Sequence, residues 1–200
     1  MAQLQEIWEG KLEPVYPYRK AGPTVEKING KLTAPAAPKI GVAKPKVIIP
    51  VFPGTNCEYD TAKAFARAGA DPEILVIRNL TPADVAESCK ALVKAIDNSQ
   101  IVMLPGGFSG GDEPDGSAKF IASFFRNPEV TEAVRRLLQQ RDGLMLGICN
   151  GFQALIKLGL VPYGDIRPIT AYDPTLTFNT IGRHQSMLVR TRIASTGSPW

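Results

Sequence analysis

Apolar and polar positions show little period over residues 21–46, whereas beyond Lys46 they fall into short blocks that switch between strand and helix spacing. Residues 47–52 (VIIPVF) form the continuous apolar run of a strand buried on both faces, and they end at Pro53-Gly54. Helical spacing follows over 58–68, with Gly69 positioned as a C-cap. A second strand is predicted over 73–78. Thr81-Pro82 then offers an N-cap and a first-turn proline for a helix reaching about Ile96. The third strand, 100–104, stops at Pro105-Gly106-Gly107. Residues 117–126 and 128–141 read as one helix interrupted at Pro128, 143–147 as the fourth strand, and 152–158 as an amphipathic helix. Beyond Leu160 the pattern changes to short strand-like runs around 176–180 and 186–193.

Strands alternating with helices at this spacing indicate βαβ units and an α/β fold, an open, mostly parallel sheet flanked by helices. Ligands of such sheets bind beyond the carboxyl ends of the strands. Loops 53–57, 105–115 and 147–151 leave those ends and should therefore converge on one site. The leading residues are organised differently. An amphipathic start (Leu4, Ile7, Trp8, Leu12) gives way to a Pro-, Ala-, Gly- and Lys-rich stretch over 21–46, which reads as a semi-extended linker. The expected division is a tail over 1–20, a linker over 21–46 and a domain over 47–200.

Composition narrows the function. At 44% hydrophobic and 21% charged, the 200 residues suit a soluble globular chain, with no apolar run near 18 residues and no signal-peptide pattern, so a cytoplasmic protein without membrane association is expected. The net charge of +4 comes entirely from residues 1–46, which hold eight Lys and Arg against four Asp and Glu. Residues 47–200 hold fifteen of each, so no basic face for nucleic acid is expected. Three dispersed cysteines (Cys57, Cys89, Cys149) and a single histidine (His184) fit neither a disulfide framework nor a metal site.

Gly147-Ile148-Cys149-Asn150-Gly151 lies between the fourth strand and the following helix. A side chain on such a sharp turn stands above the sheet, beside the next residue's N–H and the positive end of the helix dipole. Helix N-termini favour thiolate, the nucleophilic form of cysteine. The two flanking glycines fit a turn too crowded for Cβ atoms. Cys57 sits in another of the converging loops without this frame, and Cys89 falls mid-helix as a core residue. The stretch from Leu104 to Asp112 (LPGGFSGGD) is glycine-rich, but no Gly-Lys-Ser/Thr follows and no helix opens as in a dinucleotide site. Its Gly106-Gly107 pair offers backbone donors instead. With the Asn150 N–H, these could form an oxyanion hole.

Three strings in order, 52–58 (FPGTNCE), 105–112 (PGGFSGGD) and 147–153 (GICNGFQ), make residues 47–200 resemble the amidotransferase domain of class I glutamine amidotransferases, and within them the phosphoribosylformylglycinamidine synthase family. The segment 8–13 (WEGKLE) is similar to the stretch that ends the synthetase portion of the single-chain form. The resemblance implies a flavodoxin-like sheet and a glutaminase that supplies ammonia for ATP-dependent amidation of formylglycinamide ribonucleotide in purine biosynthesis. It implies Cys149 as nucleophile, the N–H groups of Gly107 and Asn150 as oxyanion donors, and Gly106, Phe108 and Gln153 as glutamine-binding. No cofactor is expected in this domain; ATP and Mg2+ belong to the synthetase portion, which with glutamine is the expected partner. The family's His-x-Glu pair has no match, because His184 is followed by Gln185 and Ser186. The sequence therefore reads as a C-terminally incomplete domain, prone to association and with little turnover alone. Two other readings stand beside this one: a separate cysteine hydrolase or peptidase, and a non-catalytic docking module. The interdomain-style tail argues against the first, and the intact elbow and Gly-Gly loop against the second.

Overall fold

A computed structural model describes residues 2–11, 41–109, 118–176, 179, 181–184, 186–189, 191 and 200. Two units divide the chain, Pro38–Phe178 and Met1–Ala37 with Asn179–Trp200. In the second, the amphipathic start is helix α1 (Ala2–Gly10), with Leu4, Ile7 and Trp8 exposed.

The first unit runs β1 (Lys46–Val51), β2 (Thr55–Asn56), α2 (Glu58–Arg67), β3 (Asp71–Val76), α3 (Pro82–Asp97), β4 (Ile101–Leu104), β5 (Gly106–Gly107), α4 (Lys119–Phe125), α5 (Pro128–Arg135), β6 (Leu144–Gly147), α6 (Asn150–Leu158) and α7 (Leu160–Tyr163). The four longer strands are parallel in the order β3-β1-β4-β6, so the expected α/β sheet is present. Successive strands add first on one side of β1 and then on the other. The switch point therefore lies between β1 and β4, where open α/β sheets bind their ligands.

Local chemistry explains the helix limits. Thr81 Oγ1 accepts from the Asp84 N–H at 3.1 Å while the Asp84 carboxylate accepts from the Thr81 N–H at 3.0 Å, a reciprocal cap that fixes the start of α3. Asn127 Oδ1 accepts from the Glu129 N–H at 3.0 Å with Pro128 following, which starts α5 anew and separates it from α4. Its continuation, Arg136–Gln140, widens into a π-helical turn.

Strand alternation sorts the core into two layers. Ile48, Val102 and Leu104 face one way, into a large layer with Leu92 and Ile96 of α3, Phe124 and Phe125 of α4, Val134 of α5 and Leu158 of α6. Val47, Ile49, Ile101 and Met103 face the other, into a smaller layer closed by Ala62 and Phe65 of α2. Phe52, just past β1, meets Phe120 and Phe124 edge-on at centroid distances of 5.8 and 5.4 Å, which docks α4 under the first converging loop.

Three features depart from the sequence pattern. The second strand starts at Asp71 instead of residue 73, because it takes its register from β1, with Lys46 opposite Asp71. The short pair β2 and β5 and helix α7 were not anticipated. In the runs expected as strands at 176–180 and 186–193, none of the described residues (176, 179, 186–189, 191) pairs with a neighbouring strand, and the remaining positions lie outside the described residues. Apolar alternation makes a strand only where a ladder partner is offered.

Candidate active site

Three chain segments meet at the carboxyl ends of β1, β4 and β6. Thr55 and Asn56 pair antiparallel with Gly107 and Gly106, which joins the loop after β1 to the loop after β4. Beyond the β4–β6 ladder, the Ile148 N–H donates to the Leu104 carbonyl at 3.1 Å, which brings the elbow alongside the same loop. Loops 53–57 and 147–151 thus converge with 105–109, as expected; residues 110–115, including Gly110-Gly111-Asp112, lie outside the described residues.

Cys149 is the sharp point of the turn. Its backbone has φ 53° and ψ −109°, a positive-φ conformation that a residue with a side chain rarely adopts and that costs on the order of 1–3 kcal/mol. The strain faces the thiol outward, and Cys149 is exposed. The flanking glycines are required, as their spacing suggested. A Cβ on Gly147 would lie 2.6 Å from the Gly151 carbonyl, and one on Gly151 would lie 2.0 Å from the Leu104 carbonyl oxygen. Ile148 points to the opposite side of the sheet and lines an apolar groove of about 420 Å³ with Ala64 and Phe65 of α2, Met103 and Leu146.

The Gly-Gly loop lies against this thiol. A Cβ built on Gly106 would stand 3.5 Å from the Cys149 Cβ, so Gly106 forms the wall beside the nucleophile. Gly107 has φ +115°, and a Cβ there would come within 2.3 Å of the Gly54 carbonyl oxygen. The Phe108 N–H donates to that same oxygen at 2.8 Å. This makes Thr55–Gly107 a non-hydrogen-bonded pair, in which the Gly107 N–H is directed away from β2. Asn150 opens α6, and the Gln153 N–H closes the first turn onto the Cys149 carbonyl at 3.0 Å. The Phe108 side chain is exposed and Gln153 half-buried.

One contact here had no signal in the residue pattern. Ser109 Oγ donates to Asn150 Oδ1 at 2.7 Å, and both residues are only 1% exposed. Sequence had assigned Asn150 a backbone role alone, and nothing in local spacing announces a side-chain bond between residues 41 apart.

The other titratable candidates separate clearly. Cys57 is exposed at the N-cap of α2, one residue past the β2–β5 pair and therefore at the rim of this site. Cys89 is buried in α3, and desolvation, with a smaller effect from Glu129, pushes its thiol up from the ordinary range. His184 is exposed and belongs to the other unit. Among the described residues, no group of three His, Cys, Asp or Glu could hold a metal ion, and no helix is long and apolar enough to cross a membrane.

Comparison with known proteins gives this arrangement a context. The chain is 36% identical over 146 residues to the phosphoribosylformylglycinamidine synthase subunit PurQ of Dehalococcoides mccartyi, covering 72% of this chain and 51% of that protein. It is 41% identical over 117 residues to the subunit of the same name from Cereibacter sphaeroides, covering 58% and 44%. The chain thus spans about half the length of the curated relatives it matches. A solved structure, PurLQS from Thermotoga maritima, matches at 28% identity with a TM-score of 0.39 over 58% of this chain and 45% of that one. Residues 44–200 match the CobB/CobQ-like glutamine amidotransferase domain, and the chain belongs to that family.

Proposed function

We propose that the chain carries the nucleophile half of the glutaminase site of a phosphoribosylformylglycinamidine synthase. The carrying observation is the strained, exposed Cys149 turn with the glycine loop packed against its thiol. The names of its PurQ relatives support the choice of parent enzyme.

In this reading the Cys149 thiolate attacks the side-chain amide carbon of glutamine. Negative charge develops on the amide oxygen, which accepts hydrogen bonds from the N–H groups of Gly107 and Asn150; such donors are worth about 3–4 kcal/mol each in comparable sites. Collapse of the tetrahedral species expels ammonia, and water then hydrolyses the glutamyl thioester to glutamate and free thiol. Gly106, Phe108 and Gln153 bound the glutamine. ATP and Mg2+ would act in the synthetase portion, which would receive the ammonia. Residues 1–20 would then be the end of that portion and 21–46 the linker.

The leaving amine needs a proton, and the thiol needs a base. The sequence supplies one histidine, His184, with serine two positions on, so this polypeptide by itself is expected to label at Cys149 but to turn over poorly. The test is modification by 6-diazo-5-oxonorleucine, a glutamine-mimicking electrophile, followed by peptide mass spectrometry. Labelling confined to Cys149 and suppressed by glutamine supports the reading; labelling that glutamine does not suppress refutes it. Steady-state glutamate release at a rate ordinary for the family would overturn the half-site clause alone.

A further inference from the structure

The two proposed oxyanion donors belong to different elements, Gly107 to β5 and Asn150 to α6, so neither strand nor helix geometry fixes the distance between them. An oxyanion hole works only when both donors lie within about 2.7–3.1 Å of the developing charge, and displacements near 1 Å cost on the order of 100-fold in rate. Something must therefore hold the loop to the helix.

Besides its pairing with β2, the loop after β4 is held by several bonds among the described residues. Its entry is fixed by the Ile148 N–H on the Leu104 carbonyl at 3.1 Å, and its flank by the Phe108 N–H on the Gly54 carbonyl at 2.8 Å. A further bond reaches the residue that carries the second donor. Asn150 Oδ1 accepts from Ser109 Oγ at 2.7 Å and from the Ser109 N–H at a longer 3.4 Å, while Asn150 Nδ2 donates to Gln153 Oε1 at 3.3 Å. Asparagine near a helix start ordinarily bonds back to its own helix's N–H groups. Here its acceptor is turned out of the helix toward the loop, two residues beyond Gly107. Both partners are almost wholly buried, where a hydrogen bond is stiff and its loss leaves a polar atom unsatisfied.

We infer that Ser109 and Asn150 are positioning residues whose side-chain bond sets the separation of the Gly107 and Asn150 N–H groups. The same bridge, continued to Gln153, links the glycine loop to a residue of the proposed glutamine pocket. The inference rests on the glutaminase reading, and its test separates the two.

The full 200-residue chain is labelled at Cys149 in parallel with 6-diazo-5-oxonorleucine, whose carbonyl would engage the hole, and with iodoacetamide, which needs no hole. The readout is the ratio of the two rates. Ser109→Ala is expected to lower that ratio about ten-fold, the effect of one buried hydrogen bond, and Asn150→Leu by at least as much, because it also removes the bonds to the Ser109 N–H and to Gln153. The double variant should fall no further than Asn150→Leu alone, because that substitution already removes the Ser109 hydroxyl bond. Slow iodoacetamide labelling of buried Cys89 certifies that each variant remains folded. An unchanged ratio in a folded Ser109→Ala, or a double variant reduced by the product of the singles, overturns the inference. A parent chain whose analogue labelling glutamine does not suppress overturns the glutaminase reading instead.

Discussion

Replacing Gly151 by alanine sets two physical effects of opposite sign against each other. Gly151 lies in the first turn of α6, where alanine is the better helix former by about 0.5–1 kcal/mol, so propensity alone predicts stabilisation. The packing predicts the reverse. The new Cβ would stand 2.0 Å from the Leu104 carbonyl oxygen, 2.6 Å from its carbon and 2.8 Å from its Cβ, against 3.4 Å or more for ordinary contact. Leu104 ends a strand flanked by β1 and β6 and is fully buried, so the strand cannot retreat and α6 must lift by roughly 1 Å. Overpacking of this kind costs about 1–3 kcal/mol, and contact with backbone puts it at the upper end. The net expectation is a loss of about 2 kcal/mol, a fall in the urea midpoint of roughly 1 M for a small domain. Gly10→Ala, with nothing within 4 Å of its Cβ, is the control and should not lower the midpoint. A Gly151→Ala midpoint equal to or above the parent's would refute the claim that the Leu104–Gly151 approach dictates glycine in the elbow.

The remaining predictions concern thiols and pH. Titration with a thiol reagent under native conditions should give two fast groups, Cys57 and Cys149, and one slow group, Cys89, with all three fast in denaturant; three fast native thiols would contradict the packing of α3. Past α7, the Asp173 carboxylate accepts from the Tyr163 hydroxyl, from the Thr170 N–H at 2.5 Å and from Arg167 at 3.2 Å, and it is held down to about 2, the Tyr163 bond being the largest cause. Because this lies below the unfolded value of about 3.9, the stabilisation is complete above about pH 4 and disappears as the pH falls through about 2. A carboxyl carbon-13 titration should find the Asp173 midpoint near 2, and a midpoint near 3.9 would dismiss the cluster.

What the chain announces by itself is whatever depends on neighbours in sequence. Thr81-Pro82, Pro128 and Gly69 mark helix ends through bonds and backbone angles completed within a few residues, and the apolar runs of β1 and β4, short and closed by Pro-Gly, read as buried strands. The Cys149 elbow was equally legible, since its glycines are demanded by crowding inside one turn and against the strand beneath it. Tertiary structure decided what depends on which segments meet. The start of β3 came from the register of β1, and the β2–β5 pair exists because the loops after β1 and β4 emerge at the same switch point. The strand-like runs past Leu160 lacked the partner that would make them strands at their described positions. The bond between Ser109 and Asn150 is the sharpest case: a serine in a glycine-rich loop and an asparagine after a cysteine carry no mutual signal, and only the fold buries them 2.7 Å apart.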